Sequence, residues 1–193
     1  MTRHRDKHEM SLVDTTSQVT TGDLLFLISC HEIVGPKLRE RFKHTLVLHA
    51  SDLPLGRGWS PHIWEVLQGA DRITVTLLEA QDGVDCGDIW AKETFLLEGH
   101  ELYNEIDEKL FATELRLMDY AVSKYELISP QAQDPKQATS YPRRKPEDSR
   151  INPHLPLAEQ FDLLRVANPD RFPAFFDLRG KRYHISISKA PSP

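Results

Sequence analysis

One histidine and one aspartate hold most of the chemical potential of this sequence. His49 ends the apolar run TLVLH and opens the stretch HASDLPLGRGWSPHIWEVLQG; Asp85 opens a second island, Asp85-Cys86-Gly87-Asp88. Each lies where a strand should give way to a glycine-containing turn, so two neighbouring strands would bring them to one end of a sheet. Imidazole titrates near neutral pH and carries protons in either direction. A carboxylate beside it favours the protonated ring, orients it and relays protons through water. Singly, each residue has an ordinary explanation. A histidine on an apolar strand is usually a core residue with satisfied nitrogens, and an aspartate before Cys-Gly is usually a turn former.

Around this pair stand residues with weaker signals. Ser51, Pro54 and Gly58 read as a turn that lets the backbone approach a ligand closely. Arg57 is either a phosphate or substrate contact or an exposed arginine capping the loop. Arg143 and Arg144 stand beside Tyr141: they are either a diphosphate site whose ring stacks on a base, or a solvated charge pair in a linker. Trp59 and Trp64 read as core rather than ligand-stacking residues. His4, His8, His44, His62, His100, His154 and His184 lack ligand spacing, so no metal is inferred.

The elements that must position these groups follow from periodicity. Residues 1–8 have no apolar period and should fray; 9–13 form a short strand. LLFLIS (24–29) is a continuous apolar run that suits a buried parallel strand. A short helix starts near Pro36, and TLVLH (45–49) is the next strand. Ser60 and Pro61 read as N-cap and first residue of a helix that stops at Gly69. RITVTLLEA (72–80) and DIWAKETFLLE (88–98) are strands. Residues 100–125 are an amphipathic helix with Leu102, Ile106, Leu110, Leu115, Leu117, Met118 and Val122 as its apolar positions. The alternation of strands and helices predicts an α/β fold. Residues 129–150, rich in Pro, Gln and charge, read as an irregular linker. PLAEQFDLLRV (156–166) is a helix, and AFFDLRG and KRYHISISK pair through a turn at Gly180.

Composition sets limits. A chain of 193 residues can bury one domain core with a small appendage. A net charge of −5 argues against a broad nucleic-acid-binding surface. Two cysteines, Cys30 and Cys86, make neither a disulfide framework nor a zinc site, and their apolar neighbours suggest small core or near-site residues. No run approaches the roughly 18 apolar residues of a membrane span, and the polar start is no signal peptide. Cytoplasmic location is the default expectation.

The ordered islands resemble the folate-dependent formyltransferase family, whose motif is roughly N-x-H-x-S-L-L-P-x-x-x-G. The corresponding stretch here runs from Val47 through His49, Ser51, Leu53, Pro54 and Arg57 to Gly58, and the family's later D-x-G matches Asp85-Cys86-Gly87. Glu32-Ile33-Val34-Gly35-Pro36 falls at the spacing of the folate-embracing loop. The resemblance spans about residues 23–125. Beyond it, Tyr141-Pro142-Arg143-Arg144-Lys145-Pro146-Glu147-Asp148-Ser149 is similar to the R-R-x-P-x-D-S segment of sugar-nucleotide formyltransferases. With EQFDLLRV it makes the PseJ-like sugar-nucleotide N-formyltransferases the most similar group. Two departures stand out. The family's asparagine aligns with Val47, which neither donates nor accepts, so Ser29 or His31 is a candidate substitute. Residues 7–13 resemble the family's second strand, so the first strand and helix have no counterpart in this sequence.

The resemblance implies an α/β, Rossmann-like, mostly parallel sheet with flanking helices, N-terminally truncated, plus a small C-terminal helix and β-hairpin. It implies a catalytic domain over 1–125, a linker over 126–155 and a small α+β region over 156–193. The implied reaction moves a formyl group from N10-formyltetrahydrofolate to the amine of a UDP- or dTDP-linked 4-amino-4,6-dideoxy sugar. This is acyl transfer: the amine attacks the formyl carbon, and the site must supply a proton carrier and a donor to the developing oxyanion. His49 and Asp85 would be catalytic. Ile33, Val34, Gly35, Gln81, Asp82 and Gly83 would hold the folate, and Ser51, Arg57, Gly58, Tyr141, Arg143 and Arg144 the sugar nucleotide. The implied partners are folate and a nucleotide-linked amino sugar, with no metal, nucleic acid or membrane, and a homodimer is a further expectation. The alternatives are a methionyl-tRNA formyltransferase-like enzyme, or a non-catalytic remnant that binds folate or nucleotide.

Overall fold

The computed structural model describes residues 7–30 and 32–191. Most of the stretch expected to fray, and His31, lie outside the described residues. The elements that build the site are β1 (Gly22–Leu27), α1 (Pro36–Arg39), β2 (Phe42–His49), β3 (Arg57–Gly58), α2 (Pro61–Leu67), β4 (Arg72–Glu79), β5 (Ile89–Leu96) and α3 (Tyr103–Lys124). Then come β6 (Ser140–Tyr141), α4 (Phe161–Arg165), β7 (Ala174–Leu178) and β8 (Lys181–Ile185). The α/β class is as expected. The central sheet has the order β1-β2-β4-β5. Its parallel part is the β1–β2 pair, while β4 runs antiparallel to β2 and β5 antiparallel to β4. Connection length explains the last pairing: residues 80–88 hold no helix, and a short loop returns a strand only in the antiparallel sense.

Alternation along the strands decides which residues reach the core. Leu46, Leu48 and Ala50 of β2 and its exit pack with Ile73, Val75 and Leu77 of β4 in one cluster. The same cluster takes in Ile63 and Val66 of α2 and Ile106, Leu110, Leu117 and Ala121 of α3. Val47 and His49 are one residue out of phase, so they lie on the other face, opposite Leu78 and Thr76 of β4. His49 therefore escapes the helix-covered core although its strand is apolar.

The turn from β5 into α3 is held by a buried carboxylate. Glu101 is 2 % exposed, accepts the N–H groups of Glu98 and Gly99, and pairs with Lys109. Burial pushes its pKa upward, but Lys109 and the backbone donors prevail and hold it down at about 2. Glu105 then accepts the Leu102 N–H and starts the helix.

Several local expectations need correction. Residues 9–13 form no strand and are mostly exposed; among the described residues no strand pairs with them. β1 is half-buried rather than fully buried, because among the described residues it pairs on one edge only. Ser60 precedes α2 with φ 49 and gives no side-chain cap. The helix expected over 156–166 splits into a 3-10 turn, Leu157–Gln160, and α4. Leu115 points out of α3, since its register lies off the stripe of Ile106, Leu110 and Leu117. Cys30 is exposed rather than core. The β7–β8 hairpin turns at Arg179-Gly180, both at positive φ as a two-residue hairpin loop requires. No helix among the described residues is long and apolar enough to cross a membrane.

Candidate active site

His49 sits at the end of β2 with its side chain 8 % exposed, and Asp85 enters the same spot from the β4–β5 loop with its side chain 11 % exposed. His49 Nδ1 lies 3.4 Å from Asp85 Oδ2, and His49 Nε2 lies 2.9 Å from the Gly56 carbonyl oxygen. A carbonyl oxygen only accepts, so Nε2 carries a hydrogen in that bond. Nδ1 then faces the carboxylate favourably only when it too is protonated. With Nε2 held by the Gly56 carbonyl, the ring must release that partner before this nitrogen can act as a base.

The loop after β2 sets this geometry. Ser51 is fully buried; its hydroxyl donates to Leu55 O at 2.8 Å, and its carbonyl accepts Thr76 Oγ1 at 2.6 Å. This curl delivers the Gly56 carbonyl to the imidazole. Gly58 donates its N–H to Asp85 Oδ2 at 2.9 Å, tying the two loops together. Its φ is +102, and a Cβ there would stand 2.5 Å from the Tyr141 carbonyl oxygen, so only glycine allows β3 to pair with β6. Asp85 itself adopts φ 52. The loop is closed behind it by the Glu79 N–H on Asp88 O, and Gly87 passes so near Glu79 that a Cβ would collide with its carbonyl.

Other sequence-predicted residues fall around this centre. Arg57 donates to Gln133 at 2.7 Å rather than capping a loop in solvent. Tyr141 stacks on Trp64, ring centroids 6.4 Å apart, and its hydroxyl donates to Gln68. Trp64 in turn donates to Pro142 O. Trp59 is 46 % exposed, not core. Arg143 is exposed, whereas Arg144 is buried, donates to Ser149 Oγ at 2.9 Å and lies over the Phe172 ring. Arg144 is therefore no solvated linker charge, and burial depresses its pKa. Val47 lies on the His49 face with nothing to donate, and Ser29 is exposed beyond β1.

The residues assigned to the cofactor lie in two loops, 33–35 before α1 and 81–83 after β4. Val34 is buried, Ile33 is 97 % exposed, and Gln81, Asp82 and Gly83 are exposed. Arg39 joins the loops, donating to Val34 O at 3.1 Å and to Asp82 at 2.5 Å.

Three residues beside the site escaped sequence reasoning. Gln133 donates to Asp85 O at 2.9 Å and Gly87 O at 2.7 Å, and its only signal was a polar composition that pointed to solvent. His62, on the first turn of α2, has a buried Nδ1 without a partner; burial first, then His49 and Arg144, push its pKa down to about 4. Glu65, one turn further on, is pushed up to about 7 by burial and then by Asp52.

Comparison with known proteins supplies the wider frame. The formyl transferase family model matches residues 2–122. The methionyl-tRNA formyltransferase of Streptococcus gordonii is 28 % identical over 167 residues, 85 % of this chain and 53 % of that protein. The structure of HypX from Aquifex aeolicus in complex with tetrahydrofolic acid superimposes with a TM-score of 0.75 at 20 % identity, covering 86 % of this chain and 29 % of that one. A sugar N-formyltransferase from Shewanella superimposes with a TM-score of 0.71 at 16 % identity, covering 89 % and 71 %. The chain spans about half the length of the curated relatives it matches. A family match over most of the chain, on a fold shared with these structures, leads to one conclusion: the chain belongs to the formyl transferase family.

Proposed function

We propose that this protein transfers a formyl group from N10-formyltetrahydrofolate to the amine of a 4-amino-4,6-dideoxy sugar nucleotide. The observation that carries the reading is the buried His49–Asp85 pair, tied through Gly58 to the loop that would face the acceptor. Once Nε2 is free of the Gly56 carbonyl, His49 would take the proton that leaves the attacking amine and return it to the tetrahydrofolate nitrogen that departs. Asp85 would orient the ring from 3.4 Å, and the Gly58 N–H holds that carboxylate in place.

Ile33, Val34, Gly35, Gln81, Asp82 and Gly83 would hold the folate, whose part is to supply the formyl group. These residues suit such a ligand. They offer backbone groups outside any strand ladder for hydrogen bonding, and the exposed Ile33 side chain for an apolar ring face. Arg57, the exposed Arg143 and Tyr141 would take the nucleotide, while Ser51 and Gly58 shape the turn against the sugar. Arg144 supports that segment from inside through Ser149.

A second reading, an acceptor like that of methionyl-tRNA formyltransferase, is favoured by the Streptococcus relative. The net charge of −5 weighs against it. The test is purified protein with N10-formyltetrahydrofolate and, in parallel, UDP- and dTDP-4-amino-4,6-dideoxy sugars and methionyl-tRNA, following tetrahydrofolate release and formyl mass gain. Gain on a sugar nucleotide supports the proposal; gain on the tRNA alone replaces it with the second reading. Tetrahydrofolate binding without turnover of any acceptor would make the chain a binding remnant.

A further inference from the structure

The segment between α3 and β6 carries no catalytic motif, yet it is bonded along its length to both loops that hold the site. Gln131 exchanges two backbone hydrogen bonds with Ile89, each 2.8 Å. Thr139 donates its N–H to Pro54 O and accepts the Arg57 N–H at its own carbonyl, while its Oγ1 accepts the Gly56 N–H at 2.8 Å. Between these anchors, the Gln133 amide reaches inward. Its nitrogen donates to Asp85 O and Gly87 O, and its oxygen accepts from Arg57 Nη2.

We infer that Gln133 is a positioning residue that locks Asp85 and Arg57 in register, so that residues 131–141 form part of the active site. The inference rests on the proposed formyl transfer for its kinetic consequence, but not for its structural one. Both amide hydrogens and the amide oxygen are used, which only a neutral carboxamide can do at this position. Glutamate would keep the bond to Arg57 but set a negative charge against two carbonyl oxygens. Asparagine is a methylene too short to span the same groups.

The burden on Gln133 comes from the backbone it holds. Asp85 has φ 52, a conformation unfavourable for a residue with a Cβ. Two hydrogen bonds on the carbonyls of Asp85 and Gly87 keep the loop there. Without them the loop relaxes, and the carboxylate moves away from His49 and Gly58. Arg57 loses its partner in the same step, and its Nε is already buried without one.

The test compares Gln133→Met, which keeps length and volume, with Gln133→Glu and the parent. Gln133→Met should lower kcat by about 10- to 100-fold, the scale of a small misplacement of a catalytic group, with the KM for folate nearly unchanged. In an Asp85→Asn background the same substitution should cost about twofold or less, because its effect passes through the carboxylate. Hydrogen exchange of the unliganded protein, which needs no turnover, should speed up in 82–88 and 54–58 while β2 and β4 stay protected. Unchanged exchange in those two loops overturns the inference, as does a kcat loss that persists in full in the Asp85→Asn background. A parent protein that turns nothing over would sink the proposed function, and the exchange measurement alone would then decide the role of Gln133.

Discussion

His49 Nδ1 faces Asp85 Oδ2 at 3.4 Å while Gly56 holds the opposite ring nitrogen, so the imidazole is fixed from both sides with limited freedom. Removing the charge from Asp85 without changing its shape should therefore hurt catalysis far more than folding. Asp85→Asn and His49→Ala should each lower kcat by about 100-fold or more, the range of a lost general acid–base, with the circular dichroism spectrum and Tm close to the parent. Formylation within about threefold of the parent for either variant removes the assigned roles.

Arg39 offers a separate handle on cofactor affinity. Its guanidinium joins Val34 O to Asp82, and the two loops it joins are those assigned to the folate. The Asp82 side chain is 79 % exposed, so the ion pair alone stabilises little. The consequence of losing Arg39 is a larger ordering cost on binding. Arg39→Ala should weaken tetrahydrofolate binding by about tenfold, equivalent to about 1.4 kcal/mol, with kcat at saturating folate little changed. Titration calorimetry reads this directly; equal Kd values for parent and variant would show that the clasp does not shape the cofactor site.

How much of this was legible in the sequence depends on whether the cause is local. The strands around His49 and the helix over 103–124 follow from periodicity to within a few residues. His49 and Asp85 could be singled out through the resemblance of their motifs to a family, since alone the one reads as a core histidine and the other as a turn former. The direction of β4 and β5 is not encoded in alternation, which is the same for either sense of pairing. Gln133 and Arg144 lie in a segment whose composition resembles that of a solvated linker. Their inward placement, half-buried for Gln133 and buried for Arg144, arises from partners distant in the chain, Asp85 and Gly87 for one and Phe172 for the other. His62 lacks ligand spacing in the sequence, and only tertiary packing shows it inside beside His49 and Arg144.

His62 should make the fold sensitive to mild acid. Its folded-state pKa is about 4 against an ordinary 6.5, with burial as the main cause. A base depressed in this way binds its proton more readily in the unfolded chain. The stability it permits is full above about pH 6.5 and falls as pH drops towards 4. His62→Phe removes the titration while filling similar space. Between pH 7 and pH 5 the parent should lose on the order of 1 to 2 kcal/mol more than the variant in urea unfolding. Parallel losses in the two proteins would mean that His62 takes up its proton in the fold as readily as in the unfolded chain.

Glu114 should act in the opposite sense. It lies on α3, 5 % exposed, and its pKa is pushed up to about 7, first by burial and then by Asp107. Asp107 is itself raised by burial, with Arg171 pulling it back down. An acid raised in the folded state releases its proton earlier in the unfolded chain. Stability therefore falls as pH rises from about 4.5 to 7 and stays lowered above that range. Glu114→Gln keeps the shape and cannot ionise. At pH 8 it should be more stable than the parent by on the order of 1 to 2 kcal/mol, and at pH 4, where the parent carboxyl is already protonated, the two should unfold together. A variant equally stabilised at both pH values would show that Glu114 acts through packing and not through its charge. A variant less stable than the parent at pH 8 would show that the ionised carboxylate has found a cationic partner, for which Arg171 is the nearest candidate by its pull on Asp107.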